Sequence, residues 1–152
     1  MKVFETHSSE ETTQLGRQLA AELKPGSIVL LRGELGAGKT TMVKGIAEGW
    51  SAAKAEDVTS PTFTLIHEYR GPGITLYHID LYRIDTQREL DTLGLDDLID
   101  PKSILLIEWG EKFERFVQER ETEIAIEHQG GDHRRITISD DPTCPGLPWM
   151  TQ

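Results

Sequence analysis

The stretch Gly33-Glu34-Leu35-Gly36-Ala37-Gly38-Lys39-Thr40 matches G-x-x-x-x-G-K-[ST], and it constrains the fold more tightly than any other feature of the chain. Its backbone N–H groups have to converge on one anion while a following helix presents its positive end to the same charge, so the pattern needs a buried strand before it and a helix after it. Both are in place. Ser27-Ile-Val-Leu-Leu-Arg32 is an unbroken aliphatic run, as in a strand buried on both faces of a parallel sheet. Met42, Val43, Ile46, Ala47 and Trp50 recur at helical spacing, so Lys39 to Trp50 reads as a helix packed on that strand. In this arrangement Gly33, Gly36, Ala37 and Gly38 wrap phosphate oxygens with little side chain in the way. Lys39 would bridge the outer phosphates, Thr40 would offer its hydroxyl to Mg²⁺, and Thr41 completes the nucleotide-binding set.

Such an enzyme also needs a carboxylate at the end of a neighbouring buried strand, because Mg²⁺ is anchored through hard oxygen ligands. Two positions qualify: Glu108, which ends Ile104-Leu-Leu-Ile107, and Asp80, which ends Ile74 to Ile79. Thr62 lies in the loop Thr59-Ser-Pro-Thr-Phe63, about where phosphate-loop switch proteins hold a hydroxyl that senses the γ-phosphate. A turn-forming role is the alternative for Thr62. His78 has no histidine partner at metal-ligand spacing and reads as a core or hydrogen-bonded histidine rather than a zinc ligand.

The rest of the chain supplies a sheet and its helices. Ser8 and Glu11 have capping-box spacing before a helix from Ser8 to Leu23. Phe63 to Tyr69 and Ile74 to Asp80 are strand-like around the turn Arg70-Gly-Pro-Gly73, which predicts an antiparallel hairpin. Thr86 and Glu89 open a helix that buries Leu90 and Leu93 and stops at Gly94, and Ser103 to Glu108 is another buried strand. Phe113, Phe116 and Val117 suggest a short helix; Ile124, Ile126, Ile136 and Ile138 alternate with polar residues around Gln129-Gly-Gly-Asp132, which predicts a terminal hairpin. The expected fold is therefore α/β: a phosphate-loop NTPase sheet flanked by helices and mixed with antiparallel hairpin strands. Residues 1–138 form the single ATPase domain in this reading, and 139–152, with three prolines and no period, form an irregular tail.

Composition narrows the function. A formal charge of -10 disfavours a free-standing binder of nucleic acid or anionic membrane, so any RNA connection should run through a partner. Cys144 is the only cysteine, which rules out an internal disulfide framework and fits a reducing compartment. The apolar runs are far short of the ~20 residues that cross a bilayer, and Met1 to Glu5 does not look like a signal peptide, so a cytoplasmic protein without a membrane is expected. The sequence contains no asparagine and hence no N-K-x-D guanine-reading motif, which favours ATP over GTP.

Beyond the loop, Ser60-Pro-Thr-Phe63, Tyr77-His-Ile-Asp-Leu-Tyr-Arg83, Glu89-Leu90 with Leu93-Gly94, and Ile107-Glu-Trp109 occur in fixed order. With Gly33 to Thr41 and the segment Thr12 to Gly16, the chain resembles the TsaE family, also called YjeE, over roughly residues 8 to 138. The resemblance implies an ATPase that works with TsaB and TsaD in making threonylcarbamoyladenosine in tRNAs that read codons beginning with A. It implies Thr40 and Glu108 as Mg²⁺ ligands and Asp80 as a residue needed for turnover, counted here with the metal set. Thr12 would lie near the nucleotide, as would an arginine of the last hairpin, for which Arg134 and Arg135 compete. Glu34 stands where aspartate is common in the family, and Trp109 matches a characteristic family residue with no physical role evident from sequence. The alternatives are a small-molecule kinase, for which little chain remains to build an acceptor pocket, and a nucleotide-dependent switch.

Overall fold

The computed structural model describes residues 1–34, 36–61 and 64–140. Its elements are β1 (Lys2–Thr6), α1 (Ser9–Ala20), β2 (Ile28–Arg32), α2 (Lys39–Gly49), β3 (Ile66–Gly71), β4 (Ile74–Asp80), α3 (Gln87–Asp91), β5 (Ser103–Glu108), α4 (Glu114–Glu119), β6 (Thr122–Gly130) and β7 (His133–Ser139). The strands form one sheet in the order β1-β7-β6-β2-β5-β4-β3. β6, β2, β5 and β4 run parallel at its centre, while β7, β1 and β3 attach antiparallel at the flanks. β2 sits between two parallel neighbours, so both its faces are covered, which is why it contains no outward-facing polar residue before Arg32.

Alternation along the strands sorts side chains onto two cores. Val29 and Leu31 of β2 pack with Leu15 and Leu19 of α1 and Met42 and Ile46 of α2. Ile28 and Leu30 pack on the other side with Leu90, Leu95, Phe113 and Phe116. Helices therefore cover both faces of a mixed sheet, the architecture expected from the sequence. Both proposed N-caps form: Ser8 accepts from the Glu11 N–H and Thr86 from the Glu89 N–H, each at 3.1 Å. α1 and α2 approach so closely that a Cβ on Gly45 would fall 2.0 Å from the Thr13 carbonyl oxygen. Among the described residues no helix is long and apolar enough to cross a membrane.

Several expectations are corrected. β1 is a strand that the sequence reading passed over; it pairs on one side only and carries the half-exposed, mixed composition of a sheet edge. The hairpin strand expected from Phe63 begins at Ile66, because Leu65 takes a left-handed backbone (φ 70°) that breaks the extended run. α1 stops at Ala20, and Leu23 buries itself from the turn that follows. The helix expected to run to Gly94 ends at Asp91, and Gly94, at φ 66°, instead caps a 3₁₀ turn from Leu95 to Leu98. Ser139, assigned to the tail, is the last residue of β7 and pairs with Glu123; residues 141–152 lie outside the described residues.

Candidate functional site

The glycine-rich loop connects the buried end of β2 to the first turn of α2. Gly38 occupies the N-cap position at φ 112°, a conformation that a side chain would strain. Gly33 passes so close to β6 that a Cβ there would meet the Ile126 carbonyl oxygen at 2.6 Å. Gly36 and Ala37 lie between them, Ala37 buried, and Thr40 and Thr41 follow Lys39 on the first turn of α2. Leu35 and Thr62 lie outside the described residues.

The register of the central strands brings the two carboxylates together. Asp80 of β4 stands opposite Glu108 of β5, and Glu108 stands opposite Leu31 of β2. Leu76, Leu106 and Leu31 belong to the core shared with α2, so the period of two puts His78, Asp80 and Glu108 on that same face. Lys39 reaches into the cluster. Its Nζ donates to the Gly33 carbonyl at 2.6 Å, stands 3.7 Å from Glu108 Oε1 and lies 4.3 Å from the centre of the Trp109 ring. Burial is the strongest influence on this ammonium and pushes it below the ordinary lysine value, while Glu108, Glu111 and Asp80 partly restore it. Glu108 Oε2 accepts a 2.5 Å hydrogen bond from His78 Nε2, and Asp80 Oδ1 accepts from the Tyr82 N–H at 2.9 Å.

Trp109 lids the loop lysine. The residue after Glu108 turns left-handed, at φ 64° and ψ 19°, and its indole ring covers Lys39 and packs on Tyr82 at 5.3 Å. Nothing in the sequence signals this, because it depends on where the loop lysine arrives.

Asp80 and Glu108 stand in register, and Thr40 follows Lys39 at the start of α2; these are the hard-oxygen side chains that could hold a divalent cation. Among the described residues no three or more His, Cys, Asp or Glu side chains make a self-sufficient metal site.

A second wall lies across the loop. Ser8, Ser9 and Thr12 from the start of α1, Gly38 and Thr41 from the loop and α2, and Asp132 and Arg134 from the last hairpin line a small cleft open to solvent. Arg134 Nε donates to the Ala37 carbonyl at 2.7 Å, and its Nη1 to Gly131 O at 2.8 Å. Arg135 points to the opposite face of the strand and stands 3.6 Å from Glu5. The alternation Arg134, Ile136, Ile138 distinguishes the two arginines, since the isoleucines face the core shared with α2. Thr12 is fixed by the Thr6 hydroxyl of β1 at 2.7 Å. Ser9 and Asp132, and any role of Ser8 beyond capping α1, carry no sequence signal for this cleft, because their convergence depends on β1 joining β7.

Known proteins resemble the chain in sequence and in fold. A family model described as "Threonylcarbamoyl adenosine biosynthesis protein TsaE" matches residues 6–136. The chain belongs to the TsaE family. The Bacillus subtilis tRNA threonylcarbamoyladenosine biosynthesis protein TsaE is 40% identical over 136 residues, covering 90% of this chain and 84% of that protein. The Streptomyces coelicolor TsaE is 42% identical over 146 residues, covering 91% and 93%. The crystal structure of Bacillus subtilis YdiB superposes with a TM-score of 0.70 at 38% identity, covering 90% of this chain and 83% of that one. The matched span of TsaE takes in the loop, both carboxylates and Arg134, and it ends before Ser139.

Proposed function

We propose that this TsaE-family chain is an Mg²⁺-dependent ATPase that serves threonylcarbamoyladenosine modification of tRNA in the cytoplasm, with TsaB and TsaD as its protein partners. The observation that carries the reading is the Lys39 ammonium lodged between the loop carbonyl of Gly33 and the carboxylate of Glu108, with Asp80 in register beside it. A buried cation joining the loop to a strand-end acid is the arrangement that phosphoryl transfer uses, because that reaction is catalysed by positioned charge rather than by covalent chemistry.

In this mechanism Gly33, Gly36, Ala37 and Gly38 bind the phosphates, and Lys39 exchanges Gly33 O and Glu108 for phosphate oxygens. Thr12, Thr41 and Arg134 hold the part of the nucleotide that leaves the loop through the cleft, and Thr62 is proposed as the γ-phosphate sensor. Thr40, Glu108 and Asp80 would hold Mg²⁺, which supplies charge neutralisation for the transferring phosphoryl group. Asp80, fixed by the Tyr82 N–H, orients the attacking water. tRNA is reached only through the partner proteins.

Calorimetry of ATP with Mg²⁺ on the purified chain and on Lys39→Ala tests this. The wild type is expected to bind, and the variant to lose binding and hydrolysis while keeping its fold. Unchanged ATP affinity in Lys39→Ala would sink the assignment.

A further inference from the structure

His78 is fully buried, at 0% exposure, on β4 two residues before Asp80. Its Nε2 is spent on Glu108 Oε2 at 2.5 Å, and among the described residues its Nδ1 has no hydrogen-bond partner. A histidine serving only to fill the core would leave a polar nitrogen unsatisfied for no return, whereas a leucine would fill the space without that cost. A carboxylate accepts and cannot donate, so the bond runs from the ring's Nε2–H to Glu108 Oε2. One oxygen of Glu108 is thereby committed, while the other, Oε1, faces Lys39 at 3.7 Å. Freed from His78, the carboxylate could close on the ammonium with both oxygens and turn its donor away from the loop.

We propose that His78 is the positioning residue of Glu108: it holds Oε2 through an Nε2–H bond and so dedicates Oε1 to the metal. The inference rests on the Mg²⁺-ATPase reading and adds to it a residue that touches neither nucleotide nor metal. Partners of this kind set the orientation of a metal-binding side chain, and their removal typically costs ~10- to 100-fold in metal affinity.

The test compares the full wild-type chain with His78→Leu and His78→Gln. Each is titrated with ATP in the presence of EDTA, and then with Mg²⁺ in the presence of a saturating non-hydrolysable ATP analogue, both followed by calorimetry. Nitrogen NMR of the wild type reads the His78 tautomer. The expected result is metal-free nucleotide affinity unchanged in all three, Mg²⁺ affinity reduced ~10- to 100-fold in His78→Leu, and most of it recovered in His78→Gln, whose amide N–H takes the place of Nε2–H. Equal Mg²⁺ affinity in the three proteins would overturn the proposal, and so would an Nδ1–H tautomer in the wild type. Should His78→Leu fail to fold, His78→Met takes its place, with the same ~10- to 100-fold loss of Mg²⁺ affinity expected and an unchanged affinity overturning the proposal. A wild-type chain that binds no nucleotide even in EDTA would overturn the ATPase reading and this proposal with it.

Discussion

Lys39 is held by contacts it must give up. Its ammonium is only 5% exposed, and its two polar neighbours, Gly33 O and Glu108, belong to the loop and to the proposed metal site. In the proposed mechanism a triphosphate would compete with protein acceptors rather than with water, and its arrival would free Glu108 at the same moment. Glu108→Ala is expected to weaken Mg²⁺-dependent nucleotide binding, since a ligand contributes to the ground-state complex. Asp80→Ala should instead lower turnover by ~10²-fold or more with a smaller effect on binding, because a misplaced water is felt mainly in the transition state. Binding isotherms and single-turnover rates on the two variants check this; the opposite pattern would exchange their roles. Glu111 offers a contrasting case. Burial pushes its carboxyl above the usual range, with Arg32 and Lys39 pulling it down and Glu123 adding to the rise. An acid whose folded value is raised binds its proton more tightly in the native state, so it weakens stability as pH climbs through that folded value. Glu111→Gln is accordingly expected to raise the melting temperature at neutral pH and to leave it nearly unchanged in acid, read by thermal denaturation across that range.

The helices α1 and α2 form the element on which the second wall depends. Gly16 and Gly45 let the two backbones touch: a Cβ on Gly45 would lie 2.0 Å from Thr13 O and 2.9 Å from Gly16 Cα, all of it backbone that cannot swing aside. Gly45→Ala is expected to cost about 1–3 kcal/mol by overpacking, a fall of several degrees in melting temperature for a chain of this size, and to weaken nucleotide binding by displacing Thr12. Differential scanning calorimetry with and without ATP reads both effects. The parts of this assembly that were legible beforehand are those with local signals: the loop motif, the buried runs of β2 and β5, the two capping threonine and serine positions, and both hairpins. β1 escaped because Lys2 to Thr6 is five residues of edge strand with Val3 exposed, and its pairing with β7 is set by partners at the far end of the sequence. The shortened α3 follows from Gly94 serving as the start of a turn rather than the end of a helix. For Trp109 and His78, the sequence shows residue types but not what they face; their roles exist only once β4, β5 and the loop are in register.

At the scale of the molecule, charge disfavours direct capture of nucleic acid. The net charge is -10, and the basic residues nearest the cleft are engaged, Arg134 with three backbone carbonyls and Arg135 with Glu5. Counterion release from so small a basic cluster would not hold tRNA. Steady-state hydrolysis is therefore expected to be slow for the chain alone, unchanged by tRNA alone, and raised by TsaB and TsaD, by up to ~10⁵-fold if a partner supplies or orders an arginine. An equal stimulation by tRNA alone would refute this. The pairing of β1 with β7 bears on how the protein comes into being. Thr6, which fixes Thr12, sits in register with Arg134, so the two sides of the cleft are contributed by the first and last strands of the described chain. A ribosome delivers the N-terminal side, the phosphate loop and both acids well before the hairpin that carries Arg134. During synthesis the nascent chain is thus expected to expose the loop with one wall, and the cleft closes only when β7 emerges from the exit tunnel and captures β1.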